Sequence, residues 1–339
     1  MCLRMIKDQR PDQGVSGKNV FVTGAAGFIG SHLVGRLLGS GANVSAFDNL
    51  SSGKLENIKQ WLNAPNFQFT KGDILDRSKL NESINESTIV FHLAANPEVR
   101  IGYEDTRLDL EQNVICTHNL LEVMRKSETS KTIIFTSTST VYGDAKTLPT
   151  PEGYGPLMPI SNYGASKLAC EAFVSSYSHL YGMKAFIFRF ANIVGPRGHG
   201  VVRDFIQKLR KNPKNLEILG DGSQKKSYLI VDNCIDAFLH VLERPSTEPV
   251  NIFNVGSDDQ ITVNEIADIM IQEMGLTDVK KTFTGGIEGR GWRGDVKNMF
   301  LSIKKLRSLG WTPSHNSEQS IRLATRQILK ELGGKPPRA

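Results

Sequence analysis

Residues 20–30 read V-F-V-T-G-A-A-G-F-I-G: an apolar, β-branched run, three glycines at intervals of three, then the start of a helical repeat. At such a strand–helix junction each glycine has a task. Gly24 makes the tight turn out of the strand, Gly27 lets the backbone approach a diphosphate, and Gly30 lets the helix pack closely on the strand. The diphosphate would rest on the helix N-terminus, first turn Phe28 and Ile29, where free N–H groups and the dipole attract anions. A glycine triplet alone is weak; its surroundings strengthen it. Residues 42–47 read as the next strand, and Asp48 follows directly, 18 residues beyond Gly30. A carboxylate there accepts hydrogen bonds from the adenosine ribose and repels a 2′-phosphate, which selects NAD over NADP. Lys54 nearby pulls the other way. Asp73, after the third strand, is either an adenine contact or a helix cap. Leu93, Ala94 and Ala95 end the fourth strand with small residues against which a dinucleotide can lie.

Working outward, short apolar runs at 18–23, 42–47, 66–70, 88–93, 132–137 and 185–190 alternate with helical periodicity at 29–38, 110–125 and 163–181. Alternation of this kind implies βαβ units with right-handed crossovers, hence an α/β fold: a doubly wound parallel sheet of Rossmann type. After residue 190 glycine, proline and charge thicken between 195 and 222 and between 282 and 295, with helices expected at 202–210 and 263–273. This predicts a smaller C-terminal α+β substrate lobe over 191–330, interleaved with the first domain (17–190). Strand-like residues 228–232 and 253–255 are expected to return to that domain, within a segment near 228–256. Residues 1–16 lack the apolar region of a secretory signal and read as a disordered leader.

Composition bounds the class. The 339 residues are 39% apolar, 22% charged and 8% aromatic, enough for a sizeable core. No apolar run reaches the ~18–20 residues of a membrane span, so no membrane partner is expected. Cys2, Cys116, Cys170 and Cys234 lie far apart without C-x-x-C, which predicts reduced thiols, a cytoplasmic setting and no metal framework. The net charge of +6 comes from 41 basic and 35 acidic residues. The basic residues are scattered rather than striped, which argues against nucleic acid and suits small anionic ligands. Among the seven histidines, His32 and His92 read as packing residues and His199 as a candidate substrate contact.

Hydride chemistry of a dinucleotide enzyme calls for a base. Two of the seven tyrosines have lysine four residues on: Tyr142/Lys146 and Tyr163/Lys167. The first pair is broken by Gly143, Pro149 and Pro151. The second follows Ser161 or Asn162 as cap and leads into a helix. A tyrosine ionises near ~10 in isolation; a lysine on the same helical face and an oxidised nicotinamide would both favour the phenolate. A hydroxyl partner is expected after the fifth strand, where T-S-T-S-T at 136–140 leaves five candidates open.

T-G-A-A-G-F-I-G, D-N-L-S-S-G, H-L-A-A-N, T-S-T-S-T-V-Y-G, Y-G-A-S-K and G-P-R together resemble the extended short-chain dehydrogenase/reductase family, and within it the UDP-glucose 4-epimerases and their nucleotide-sugar epimerase relatives. The resemblance runs from about residue 18 to residue 313. It places the family's catalytic hydroxyl on Thr138, beside Tyr163 and Lys167, and the cofactor positions on Gly24, Gly27, Phe28, Ile29, Gly30, Asp48, Asn49, Ser52, Gly53, Asp73, Ile74, Leu93, Ala95, Tyr163 and Lys167, with Ala94 between the last strand residues.

It implies an NAD-dependent isomerase that oxidises the sugar at C4, lets the 4-keto sugar rotate, and returns hydride to the other face. For a nucleotide-sugar substrate, UDP-linked by resemblance, it points to Asn192, Val201, Val202, Leu216, Ile218, Lys226 (arginine in many relatives) and Arg290 or Arg293. Sibling dehydratases and decarboxylases need an acid after the catalytic threonine; Ser139 and Thr140 cannot serve. Reductases, other epimerases and a catalytically silent NAD-binding sensor share the remaining motifs. Relatives pair the helices near 110–125 and 168–181 in a four-helix seam, which predicts a homodimer.

Overall fold

The computed structural model describes residue 12, residues 14–84 and residues 86–333. Seven strands, β1 (Asn19–Thr23), β2 (Asn43–Asp48), β3 (Phe67–Lys71), β4 (Ile89–His92), β5 (Thr132–Thr138), β6 (Lys184–Phe190) and β7 (Val250–Val255), form one parallel sheet in the order β7-β6-β5-β4-β1-β2-β3. The fold is thus the doubly wound α/β type, with the order reversing between β1 and β4.

The strands are apolar on both faces because helices cover both. Val20 and Val22 turn to one side, where α1 (Phe28–Gly39) contributes Leu33 and Leu37, and a later helix contributes Phe238. Phe21 turns to the other side. It meets Leu80 of α2 (Arg77–Ile84), Leu120 and Leu121 of α3 (Cys116–Lys126), and Val174 of α4 (Asn162–Tyr181). Each large side chain so buried contributes about 1.5–3 kcal/mol. Phe188 packs edge-on to Phe238 at 4.8 Å and is stacked on Phe253 at 5.6 Å, which ties the late strand β7 to the sheet.

Helix α6 (Val231–Leu242) packs on the main sheet beside α1, while α5 (Val201–Lys211), α7 (Val263–Glu273) and α8 (Ser317–Glu331), with several short ribbons, form the lobe. Its own core gathers Phe205, Leu216, Ile218, Ile266, Met270, Ile321 and Ile328.

Four local expectations change. Residues 228–232 do not return to the main sheet: Tyr228–Ile230 pairs with Asn192–Val194 in a separate ribbon, and α6 starts at Val231. Only β7 rejoins the sheet. The helix expected from residue 110 opens as a π-helical turn, Leu110–Ile115, before α3. Helices α6 and α8 have no counterpart in the sequence reading. α6 sets an apolar face against a polar one of Asp232, Asp236 and His240 at intervals of four, and α8 opens on an Asn316/Gln319 capping box.

Residues 1–11 and 13 of the expected leader lie outside the described residues, but its end is folded. Val15 is fully buried, and the Asp12 carboxylate accepts from Arg36 Nε at 2.9 Å and Ser40 Oγ at 2.7 Å. No helix among the described residues is long and apolar enough to cross a membrane.

Candidate active site

The strand order reverses between β1 and β4, and ligands of such sheets bind beyond the C-terminal ends of the strands at that switch point. Thr23 Oγ1 accepts from the backbone N–H of Leu93 and of Ala94, both at 3.2 Å. Gly24 adopts φ +67°, and a Cβ there would meet Ala94 N at 2.7 Å; at Gly30 it would meet Gly24 O at 2.0 Å. The turn therefore admits no side chain at either position. Gly27 caps α1 without any side-chain bond, and the first turn carries no acid. An uncapped, positive helix end in a glycine cradle fits a diphosphate.

Asp48 is buried at the end of β2. Its Oδ2 accepts from Ala26 N at 2.9 Å and Oδ1 from Leu50 N at 2.8 Å. Burial raises its pKa, only partly opposed by those two N–H donors. Gly53 closes over it so tightly that a Cβ would stand 2.9 Å from Oδ1, and the exposed Ser52 lies beside it. Asn49 Nδ2 donates to Asp73 Oδ2 at 2.9 Å, and Leu75 N donates to Asp73 Oδ1 at 2.9 Å. Asp73 does not cap α2; Asp76 does, accepting from Lys79 N at 3.1 Å. The Ile74 side chain is buried in the core, so only its backbone faces outward.

At the end of β5 the five hydroxyls separate. Thr136 Oγ1 donates to His92 O at 3.1 Å, and Ser137 Oγ donates to the Glu171 carboxylate. Thr138 and Thr140 pair at the cleft, their hydroxyl oxygens 3.1 Å apart. Helix α4 begins at Ser161, whose Oγ accepts from Gly164 N at 3.1 Å; Asn162 instead donates to Gly102 O at 2.7 Å. A Cβ on Gly164 would meet Thr140 O at 2.9 Å. The first turn of α4, which carries Tyr163, is thus seated on the turn that follows β5.

Tyr163 stands half-buried, and loss of water around its hydroxyl pushes its pKa up, with Asp109 and Cys170 acting in the same direction. Lys167 is buried with Nζ 4.4 Å over the Phe135 ring, and burial lowers its pKa. In the protein without cofactor, desolvation opposes the charged form of each. His92 bridges Thr23 and Thr117 at 2.8 and 3.0 Å, and burial together with Lys167 pushes its pKa down to about 3.

Two buried networks escaped the sequence reading. The π-helical turn presents Asn113, whose Nδ2 donates to Ser166 Oγ at 2.8 Å; Ser166 Oγ donates to Tyr163 O at 2.8 Å. Asn96 and Asp109 complete that cluster, Asn96 Nδ2 donating to Asp109 Oδ1 at 3.0 Å. A π-turn is its structural mark, and single asparagines leave no signature in sequence. In the second network Arg189 of β6, 3% exposed, pairs with Glu171 of α4 at 2.6 Å. Its Nη1 donates to the Tyr142 hydroxyl at 2.9 Å, and that hydroxyl donates to Asn254 at 2.7 Å. Tyr142 is therefore a structural residue in a short 3₁₀ turn.

In the lobe, Lys226 Nζ lies 2.5 Å from Asp295 Oδ1. Arg290 donates to Asp295 O at 2.5 Å and grips both oxygens of Asp144, just past the β5 turn, at 3.1 and 2.9 Å. Arg293 stands apart, bonded to the Tyr103 hydroxyl at 3.3 Å on the wall of a cavity of about 390 Å³. Asn192 Nδ2 donates to Ser227 O at 3.3 Å, and His199 stands edge-on to Phe28 at 6.5 Å. Val201 is half-buried at the start of α5. Val202, Leu216 and Ile218 bury their side chains in the lobe core. That corrects the expected apolar sandwich, because their patterning serves the lobe's own packing.

The NAD dependent epimerase/dehydratase family matches residues 20–256. The chain belongs to that family. It is 34% identical over 300 residues to the UDP-glucose 4-epimerase of Mycolicibacterium smegmatis, covering 86% of this chain and 92% of that one. Its structure is similar to that of the Thermotoga maritima UDP-glucose 4-epimerase with UDP-glucose: TM-score 0.83, 33% identity, 93% of this chain and 99% of that. It is also similar to the Thermus thermophilus UDP-glucose 4-epimerase complex with NAD: TM-score 0.80, 32% identity, 91% and 98% covered. This member of the epimerase/dehydratase family is an NAD-dependent enzyme of the isomerase class.

The buried Arg189–Glu171 pair joins the Tyr163 helix to the sheet. Glu171→Gln, which strands the guanidinium, is expected to lower stability by about 3–5 kcal/mol, measured by denaturant unfolding.

Proposed function

We propose that the enzyme is a nucleotide-sugar 4-epimerase that interconverts UDP-glucose and UDP-galactose. The observation that carries this reading is the seating of α4, which bears Tyr163 and Lys167, on the Thr140 turn just after Thr138, with Ser139 and Thr140 in place of acids. Gly24, Gly27 and Gly30 with the α1 N-terminus hold the cofactor diphosphate; Asp48, with Asn49, Ser52 and Gly53 around it, holds the adenosine ribose. Asp73 and the backbone of Ile74 flank the adenine, and Leu93, Ala94 and Ala95 floor the cleft.

When bound, NAD supplies the hydride acceptor and the added positive charge that Tyr163, raised by burial, needs in order to ionise. Tyr163 takes the proton of the sugar 4-hydroxyl and later returns it. Thr138 holds the same oxygen by a hydrogen bond, and Lys167 keeps positive charge beside the phenolate. Lys226 and Arg290, which converge on Asp295, hold the substrate diphosphate together with Asn192, and Val201 flanks its base. With binding concentrated on the diphosphate, the oxidised sugar is free to turn over. Arg293, away from that pair, is not assigned to the diphosphate.

A second surface supports a homodimer. Leu110, Ile115, Phe173, Leu180 and Tyr181 are exposed, Leu180 by 69%, and His118 packs edge-on to Phe173 across α3 and α4. Two copies joined there would cover this apolar face in a four-helix seam. The three described cysteines, all free and buried, suit a reducing, cytoplasmic setting.

Incubated with UDP-galactose and no added cofactor, the purified protein is expected to yield UDP-glucose. Tyr163→Phe should lower kcat by about 10²–10⁴-fold. Bound NAD without any interconversion would indicate a sensor instead, and steady accumulation of NADH a dehydrogenase. Calorimetry should show NAD binding about 10²-fold more tightly than NADP, with Asp48→Ala closing most of that gap. Leu180→Arg should shift the mass in light scattering from dimer toward monomer; a monomeric parent protein would refute the seam.

A further inference from the structure

At the end of β5 the Thr138 hydroxyl meets two groups of one residue. Thr140 N–H donates to Thr138 Oγ1 at 3.1 Å, and Thr140 Oγ1 lies 3.1 Å from it. A hydroxyl has one proton and two lone pairs. The backbone N–H fills one lone pair in any arrangement, so the Thr140 hydroxyl decides the rest. Were Thr138 to donate to it, its proton would be turned along the protein surface and away from substrate. With Thr140 donating, both lone pairs of Thr138 are filled, and its single proton is left to point into the cleft.

We propose that Thr140 is a positioning residue whose hydroxyl donates to Thr138 and thereby fixes the Thr138 proton on the reacting sugar oxygen. The inference rests on the roles proposed above for Thr138 and Tyr163. Thr140 is well held for the task. Its carbonyl lies against Gly164, with no room for a Cβ between them, and its branched Cβ restricts rotation. Two of the other hydroxyls are engaged elsewhere, Thr136 with the His92 carbonyl and Ser137 with Glu171. Two donors into one hydroxyl also polarise it, which strengthens its own donation.

Thr140→Val keeps the shape and removes the donor; Thr140→Ser restores the donor. Both are compared with the parent enzyme and Tyr163→Phe on the UDP-sugar that the parent turns over. Thr140→Val is expected to lose about three- to tenfold in kcat, with KM, bound NAD and melting temperature unchanged, and Thr140→Ser to recover nearly all of it. Thr140→Ala, also lacking the donor, must show the same loss, which covers the case where valine perturbs the fold. Full kcat in Thr140→Val, a loss confined to KM, or no recovery with serine would overturn the inference. An inactive Tyr163→Phe beside an unimpaired Thr140→Val would sink this inference alone, whereas an active Tyr163→Phe would sink the reading of the site beneath it.

Discussion

The first turn of α4 rests on the carbonyl of Thr140, and the missing side chain at Gly164 is what allows it. A methyl group there would stand 2.9 Å from that oxygen, pushing Tyr163 and Lys167 away from the strand that ends in Thr138. Reactive groups on different elements must be held to a fraction of an ångström, and here one close backbone contact does so. The buried Arg189–Glu171 pair fastens the same helix to β6 farther along, so α4 is fixed at two points.

That rigidity has an electrostatic consequence. The enclosure that positions Tyr163 and Lys167 also disfavours charge on both. Burial thus favours the neutral phenol of Tyr163, and added positive charge nearby would favour its phenolate. The glycine turn leaves the α1 N-terminus without a side-chain cap and holds the buried Asp48 through Ala26 N.

The sheet was legible because its signals are local: strands apolar on both faces, and a glycine turn whose spacing has few other uses. Tyr163 could be preferred over Tyr142 because one tyrosine opens a helix and the other precedes glycine and prolines. Thr138 was reached by resemblance; among the five hydroxyls only the tertiary partners of Thr136 and Ser137 narrow the field. The lobe was read less well. Val202, Leu216 and Ile218 look like pocket walls in sequence, yet they fill a core, since an apolar residue carries no mark of which apolar surface it meets. Helix α6 does keep a polar side at Asp232, Asp236 and His240, but its first residues continue the run 228–232 and read as strand.

What the chain alone determined, then, was the doubly wound sheet, the tight glycine turn at its first strand, the acid that ends the second and the placing of Tyr163 and Lys167 on one helix, all set by spacing within a few turns of backbone. What only the tertiary structure decided was which hydroxyls are bonded away, that Arg290 rather than Arg293 meets the Asp295 that Lys226 holds, and that desolvation raises the pKa of Tyr163. These depend on contacts between residues far apart in sequence and on the exclusion of water, and neither is written in local pattern.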